Sequence, residues 1–336
     1  MTAPASAAAV RAGIAGFAQH PFIVDTAGKR MVVAQAPYLS LSLTGAGRLA
    51  ELAAQAASEA VGALRLTRER ASMAVFIGHP PPRPGGAADV QQIAERVAIA
   101  LRDVADANRV TVTETGHAAG TMAIQSAWDA VRLGVVEFAL AGGVDSYLDA
   151  DTLEWLEANE QVHSAGSENN PYGFVPGEGS GFVLLASADA AHRVRLTASL
   201  ELATVAYARE SHLIKTDSVC TGEGMTALFR MLRGEPAVWR ADHIFCDMNG
   251  EPYRAEEFGF ACIRAGELFA DPSSFTAPAD CWGDVGAASA PLFVALADAA
   301  IRKGYAPGPV IAAFTSSESG ERCGFVVRDA RDEGSP

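Results

Sequence analysis

Residues 110–146 read VTVTETGHAAGTMAIQSAWDAVRLGVVEFALAGGVDS, and the order of residue types in this stretch decides the fold class. A β-branched run closes at Glu114. Small residues Gly116, Ala118, Ala119 and Gly120 then surround His117, and apolar residues recur at three- and four-residue spacing to Leu133. A second apolar run, VEFALA at 136–141, follows. Strand, sharp turn, helix, strand is the unit of a layered α/β protein.

The same alternation extends in both directions. Short Val/Ile/Phe-rich runs predict strands at 73–77, 109–113, 136–141, 181–186, 195–207, 243–248 and 309–315. Helical periodicity predicts helices over 47–64, 89–105, 119–133 and 287–302. Pro and Gly make 79–88 (HPPPRPGGAA) a loop, and polar turn formers do the same for 163–173 (HSAGSENNPYG). The order of elements up to about residue 190 repeats in shorter form afterwards, so two α/β halves, 1–190 and 191–336, are expected. At 336 residues the chain exceeds what one hydrophobic core usually serves.

Composition excludes several classes. A net charge of −14 argues against nucleic acid and against anionic lipid, both of which need clustered Lys and Arg. No apolar run approaches the roughly 20 residues of a membrane span, so no membrane insertion is expected. The start, MTAPASAAAVRAGIAGF, lacks a basic segment followed by an unbroken apolar one. Five cysteines without a CxxC pair fit a reducing, cytoplasmic setting. The histidines outside residue 117 form no HExxH or HxH pair, so no metal site is expected. GEGSG at 177–181 precedes a strand rather than opening a helix and is neither a P-loop nor a dinucleotide fingerprint.

The 110–146 stretch together with GFVPGEGSGFVLLA at 173–186 resembles the β-ketoacyl synthases of the thiolase superfamily. In them a strand ends at a nucleophilic Cys followed by A-[ST]-G-x-x-A-I, then a helix, A-L-A-G-G-x-[DE]-S, and later G-F-V-x-G-E-G-[AS]-G. The resemblance implies the thiolase fold, an α/β protein of duplicated halves in five αβαβα layers. It also implies a dimer, homo- or heteromeric, formed through a strand near the nucleophile turn, with no cofactor. Acyl-CoA or acyl carrier protein would be the small-molecule or protein partner. At the position of the family's Cys stands His117. Asn249, within IFCDMNGEPYR at 244–254, matches the family's first catalytic His, and Asp284, within GDVGAAS at 283–289, matches the second His or Asn. Glu178 matches the family's Glu. The G-F-G-G-x-N signature is blurred in TSSESGERCGF at 315–325.

The physical logic of that turn is independent of the family. A group set at the start of the 119–133 helix meets free backbone N–H groups and the positive end of the dipole, which lower a thiol's pKa and offer donors to an oxyanion. Decarboxylative condensation needs a thiolate to hold the acyl chain, and an imidazole cannot do so durably. Two readings stay open. In one, the chain is a degenerate, non-condensing binding or scaffold partner, such as a chain-length-factor-like or secretion-cluster accessory protein, with His117 filling the thiol's space. In the other it is an acyltransferase or thioester hydrolase, with His117, kept neutral by the dipole and oriented by Asp284, acting as base or transient nucleophile. Glu178 is expected to bond backbone groups rather than move protons. Cys220, just before a helix over 222–233, is expected to be packed rather than reactive. A helix over 249–264 would present Arg254, Glu257 and Phe258 on one face as a surface or a pocket lid. Carrier docking would require Arg102, Arg109, Arg132, Arg193 and Arg195 to gather in one basic patch.

Overall fold

The computed structural model describes residues 2–66, 71–86, 89–163, 170–234 and 239–332. Its elements run α1 (Ala3–Arg11), β1 (Phe17–Val24), β2 (Arg30–Ala34), α2 (Gly45–Ala60), β3 (Ala71–His79), α3 (Val90–Leu101), β4 (Ala105–Glu114), α4 (Ala119–Arg132), β5 (Phe138–Ser146), α5 (Ala150–Ala158), β6 (Glu178–Ala186) and α6 (Ala188–Arg193). The chain continues through β7 (Leu200–Arg209), α7 (Glu223–Arg233), β8 (His243–Cys246), α8 (Pro252–Ala265), β9 (Phe275–Thr276), α9 (Ala279–Trp282), α10 (Ser289–Arg302), β10 (Val310–Ser316) and β11 (Glu321–Asp329).

Two mixed sheets carry the fold. Residues 71–186 form a four-stranded sheet in the order β4-β3-β5-β6, and residues 200–329 form a five-stranded one in the order β7-β11-β10-β8-β9. In each, two parallel neighbours (β3 and β5, β8 and β10) lie beside an antiparallel last strand (β6, β11). Helices α2 and α3 cover the outer face of the first sheet, α4 and α10 fill the space between the sheets, and α7 and α8 cover the outside of the second. Five layers result because every sheet face is apolar and must be buried. Phe138, Ala139, Leu140 and Ala141, the run read as a strand, are buried on both faces of β5.

Each half contributes one sharp turn to the centre. After β4 a 3₁₀ turn at Gly116–Ala118 leads into α4, and before α10 a 3₁₀ turn at Gly286–Ala288 does the same. Gly116 (φ +65°) and Gly286 (φ +45°) both occupy the left-handed region that side chains disfavour. The helices approach so closely that a Cβ on Gly120 would lie 2.4 Å from the Ala287 carbonyl oxygen. GHAA at 116–119 and GAAS at 286–289 are therefore corresponding turns, a residue-level trace of the repeat that the order of elements alone did not reveal.

Several expectations shift. The strand expected over 195–207 begins at Leu200, the helix expected over 89–105 stops at Leu101, and the loop expected over 79–88 starts only after His79, the last residue of β3. Residues 87–88 and 164–169 of the two expected loops lie outside the described residues. The β1–β2 hairpin and β11 went unpredicted. Arg109 lies on β4, at one edge of the first sheet, whereas Arg193 follows β6 at the other edge, so these two do not lie side by side. Arg132 and Arg193 instead pair with the nearby carboxylates of Asp129 and Glu137. No helix among the described residues is long and apolar enough to cross a membrane.

Candidate functional site

His117, Asn249 and Asp284, distant in sequence, meet where the two turns abut. Nε2 of His117 lies 2.9 Å from each carboxylate oxygen of Asp284. Asn249 donates to Asp284 Oδ2 at 2.7 Å, and the Gly286 N–H donates to Oδ1 at 2.8 Å. Asp284 thus sits on the N–H face of the second turn, which is why a carboxylate is tolerated there. Among the four expected site residues, Glu178 stands apart. Its carboxylate accepts from the Ala36 N–H (2.7 Å), from Arg48 Nε (2.6 Å) and Nη2 (2.7 Å), and from Ser146 Oγ (2.9 Å), a structural clamp with no bond to the other three.

Sequence reasoning missed the fourth member of the cluster. The Arg254 guanidinium lies 3.3 Å from His117 Nε2 and 3.5 Å from Nδ1. It also donates to Asp247 Oδ2 at 3.0 Å and to the Ser316 carbonyl at 3.1 Å, and it pairs with Glu251 at 3.4 Å. The face of α8 expected to form a surface is buried: Arg254 enters the site, Glu257 pairs with Arg322 at 2.6 Å, and Phe258 joins Phe229, Phe269 and Phe314 in an aromatic cluster. The i, i+3, i+4 spacing marked one face correctly; charge on that face suggested solvent, whereas each charge has a buried partner. Lys215 extends the network, 2.9 Å from Glu251.

The cluster is closed. His117, Asp284 and Arg254 are 6%, 4% and 4% exposed. A cavity of about 240 Å³ opens beside residues 80–86, and none of His117, Asn249, Asp284 or Arg254 lines it. The donor expected for an oxyanion is engaged as well: the Ala118 N–H at the start of α4 donates to Ser317 Oγ at 2.9 Å, and that hydroxyl in turn donates to the Thr115 carbonyl.

Electrostatics correct one expectation. Burial and the Arg254 cation disfavour an imidazolium at 117, yet the Asp284 carboxylate outweighs both and lifts the pKa above the usual histidine value, the opposite direction to that expected from the helix dipole. Asp284 is depressed far below an ordinary carboxyl, against burial, by His117 and Arg254. Burial likewise opposes ionisation of Glu251, and Arg254 with Lys215 overcomes it. Burial, with Glu257, pushes the Cys220 thiol up, which suits a packed thiol rather than a nucleophile. Among the described residues, Glu210, Cys220 and Glu257 are close enough to share a metal ion. Glu210 is already engaged by the Gly224 N–H (2.8 Å) and Glu257 by Arg322.

Residues 82–191 match the family described as β-ketoacyl synthase, N-terminal domain. A chain of AntDE:AntF, a type II polyketide synthase acyl-carrier protein in complex with its ketosynthase bound to the hexaketide, superposes with a TM-score of 0.82 at 18% identity, over 98% of this chain and 96% of that one. The ishigamide ketosynthase/chain length factor gives a TM-score of 0.67 at 18% identity, covering 97% of this chain and 95% of that one. A β-ketoacyl synthase from Burkholderia phymatum STM815 gives 0.71 at 15% identity, covering 96% and 94%. A search of curated proteins finds no match. The family match covers residues 82–191, less than half of the chain, and the superpositions show that the chain as a whole has the thiolase fold of these ketosynthases.

Proposed function

We propose that the protein is a non-condensing member of a ketosynthase-type assembly, a chain-length-factor-like or accessory partner that binds and shapes rather than joins carbon chains. The observation that carries this reading is the ion network at the turn. His117, which we place at the family's nucleophile position, is held between Asp284 and the Arg254 guanidinium in a buried cluster whose charges are mutually satisfied. A condensing enzyme needs a free thiolate and unoccupied oxyanion donors there. Ser317 on the Ala118 N–H supports the same reading. The ishigamide neighbour is a ketosynthase/chain length factor, a pairing of the kind proposed. The edge strand β4, which leads into the turn, would extend the first sheet across the partnership.

The purified protein alone tests the role. Light scattering on size-exclusion chromatography is expected to find no stable homodimer, and co-expression with a ketosynthase from the same source is expected to yield a one-to-one complex. A monodisperse homodimer that takes up no ketosynthase would overturn the reading.

The His117–Asp284 contact favours a second reading, thioester hydrolysis or acyl transfer from acyl-CoA or acyl carrier protein, because a carboxylate on one imidazole nitrogen is how a general base is oriented. The other nitrogen, Nδ1, faces the Arg254 cation at 3.5 Å rather than open space. A base there would have no room to receive a substrate proton until Arg254 moved.

A further inference from the structure

The two sheets end differently. In the second, the antiparallel strand β11 carries a further strand, β7, on its outer edge; in the first, the antiparallel strand β6 is itself the end of the sheet. We infer that the open edge of β6 takes one antiparallel β-strand from a different chain, an apolar extended segment seated on β6 as β7 is seated on β11. The inference is independent of the scaffold role, which uses the opposite edge, β4.

The edge is open in a definite pattern. Ser187 donates its N–H to the Glu137 carbonyl, and the Gly177 carbonyl accepts the Tyr147 N–H, which fixes the odd-numbered residues of β6 as those bonded to β5. The N–H and C=O groups of Ser180, Phe182, Leu184 and Ala186 therefore point outward. Ala34 bridges Gly177 just before the strand, and beyond that point no backbone partner follows among the described residues. Buried backbone groups are almost always paired, so a row of unpaired ones marks an edge that faces solvent or receives a strand. Helix α1 passes nearby: the Ala3 N–H reaches Glu59 on α2, and Ala7 and Val10 join the core between the sheets. A helix bonds its own backbone internally, so α1 flanks the edge without pairing it. Side-chain exposure agrees. Val183, Leu184 and Leu185 are half-buried, whereas Val326 and Val327 of β11, which β7 covers, are 0% and 2% exposed.

Exposed edges are ordinarily protected by charge, proline, a bulge or brevity. The ends of the second sheet follow that rule: β9 has two residues, and β7 carries Glu201 and Arg209 and shifts register against β11. Strand β6 has none of these devices. It is nine residues long, its register with β5 is unbroken, and GSGFVLLA at 179–186 holds no charge and no proline. That chemistry selects the occupant. With α2 on one face of β6 and α10 on the other, an added strand gains backbone hydrogen bonds along the edge and apolar contact on both sides. A charged segment would find no counter-charge on the strand, and a helix or a polyproline segment could not donate to the outward carbonyls. The fold supplies its own example of what fits: β7, LELATVAYAR, is apolar between Glu201 and Arg209 and runs antiparallel to β11.

Amide hydrogen exchange on the whole protein, with a capped peptide of residues 200–209 as probe, reads the outcome. In the protein alone the amides of Ser180, Phe182, Leu184 and Ala186 are expected to exchange at least about a hundredfold faster than those of Gly181, Val183 and Leu185. The peptide is expected to slow the four outward amides at least about tenfold. The same peptide with proline in place of Thr204 and Ala206, whose N–H groups face the neighbouring strand in β7, is expected to leave them unchanged. Leu184→Pro removes one outward N–H and no bond to β5, so it is expected to fold and to bind the peptide at least about tenfold more weakly. Ala186→Pro, at the end of the strand, gives the same reading should Leu184→Pro not fold. The inference is overturned by outward amides as protected as the inward ones, by a peptide that leaves them unchanged, or by equal slowing with the proline peptide. Protection that grows with protein concentration in the absence of peptide would overturn the assigned occupant and give the edge to a second copy of this chain.

Discussion

Asp284 turns both carboxylate oxygens to Nε2 of His117, at 2.9 Å each, across 167 residues of chain. The two shifts agree in sense: the imidazole's pKa is raised and the carboxyl's depressed, each by the other's charge against the cost of burial. A raised histidine pKa contributes stability that is complete below its unfolded value of about 6.5 and is lost as pH rises through the folded value. The depressed Asp284 contributes above its unfolded value of about 3.9 and loses that contribution only as pH falls through its folded pKa. Wild type should therefore exceed His117→Asn in melting temperature most clearly between about pH 5 and 6.5, the gap closing as pH rises further. Melting curves from pH 5 to 9 check this. A gap that is constant or widens with pH would show that the pair is not ionised.

Arg254 is the shared counter-charge of Asp247, Glu251 and Asp284, all buried. Arg254→Met leaves those carboxylates short of a cation and should cost about 3–5 kcal/mol in urea unfolding. Arg254→Lys should recover only part, because an ammonium cannot serve Asp247, Ser316 and Glu251 from one planar group.

Glu178 is assigned to structure. Glu178→Ala should cost about 3–5 kcal/mol by stranding Arg48, and the double variant Arg48→Met/Glu178→Leu should cost less than the single one. A double variant as unstable as the sum of the singles would contradict the clamp.

Gly120→Ala forces a methyl to within 2.4 Å of the Ala287 carbonyl oxygen, a backbone atom held by the opposing turn. The expected loss is about 1–3 kcal/mol or more. Gly62→Ala, where no atom of the described residues lies within 4 Å, serves as control and should be neutral or slightly stabilising. Equal effects at the two sites would mean that the turns do not pack as described.

The sequence exposed the layers because buried parallel strands are continuous apolar runs: MAVFI, VEFALA and PVIAAFT became β3, β5 and β10. The β1–β2 hairpin escaped because β1 is mostly exposed and carries Pro21, so it has neither a core run nor strict alternation. Spacing against the family's motifs led to His117, Asn249 and Asp284, and their convergence rests on the folding together of two turns 167 residues apart. Arg254 was visible but misplaced, since charge on a helix face signals solvent unless its buried partners are known. Asp247, Glu251 and Ser316 come from other elements or the helix's own start. The only local hint was Glu251 three residues before Arg254.

The central claim is that the turn at His117 does no acyl chemistry. It is tested most directly by intact-protein mass and thioester loss after incubation with a panel of acyl-CoAs and acyl carrier proteins, wild type beside His117→Ala. The prediction is no covalent adduct and thioester loss no faster than in buffer, identical for the two proteins. Acylation or turnover that disappears in His117→Ala would contradict it and establish a working enzyme built on His117 and Asp284.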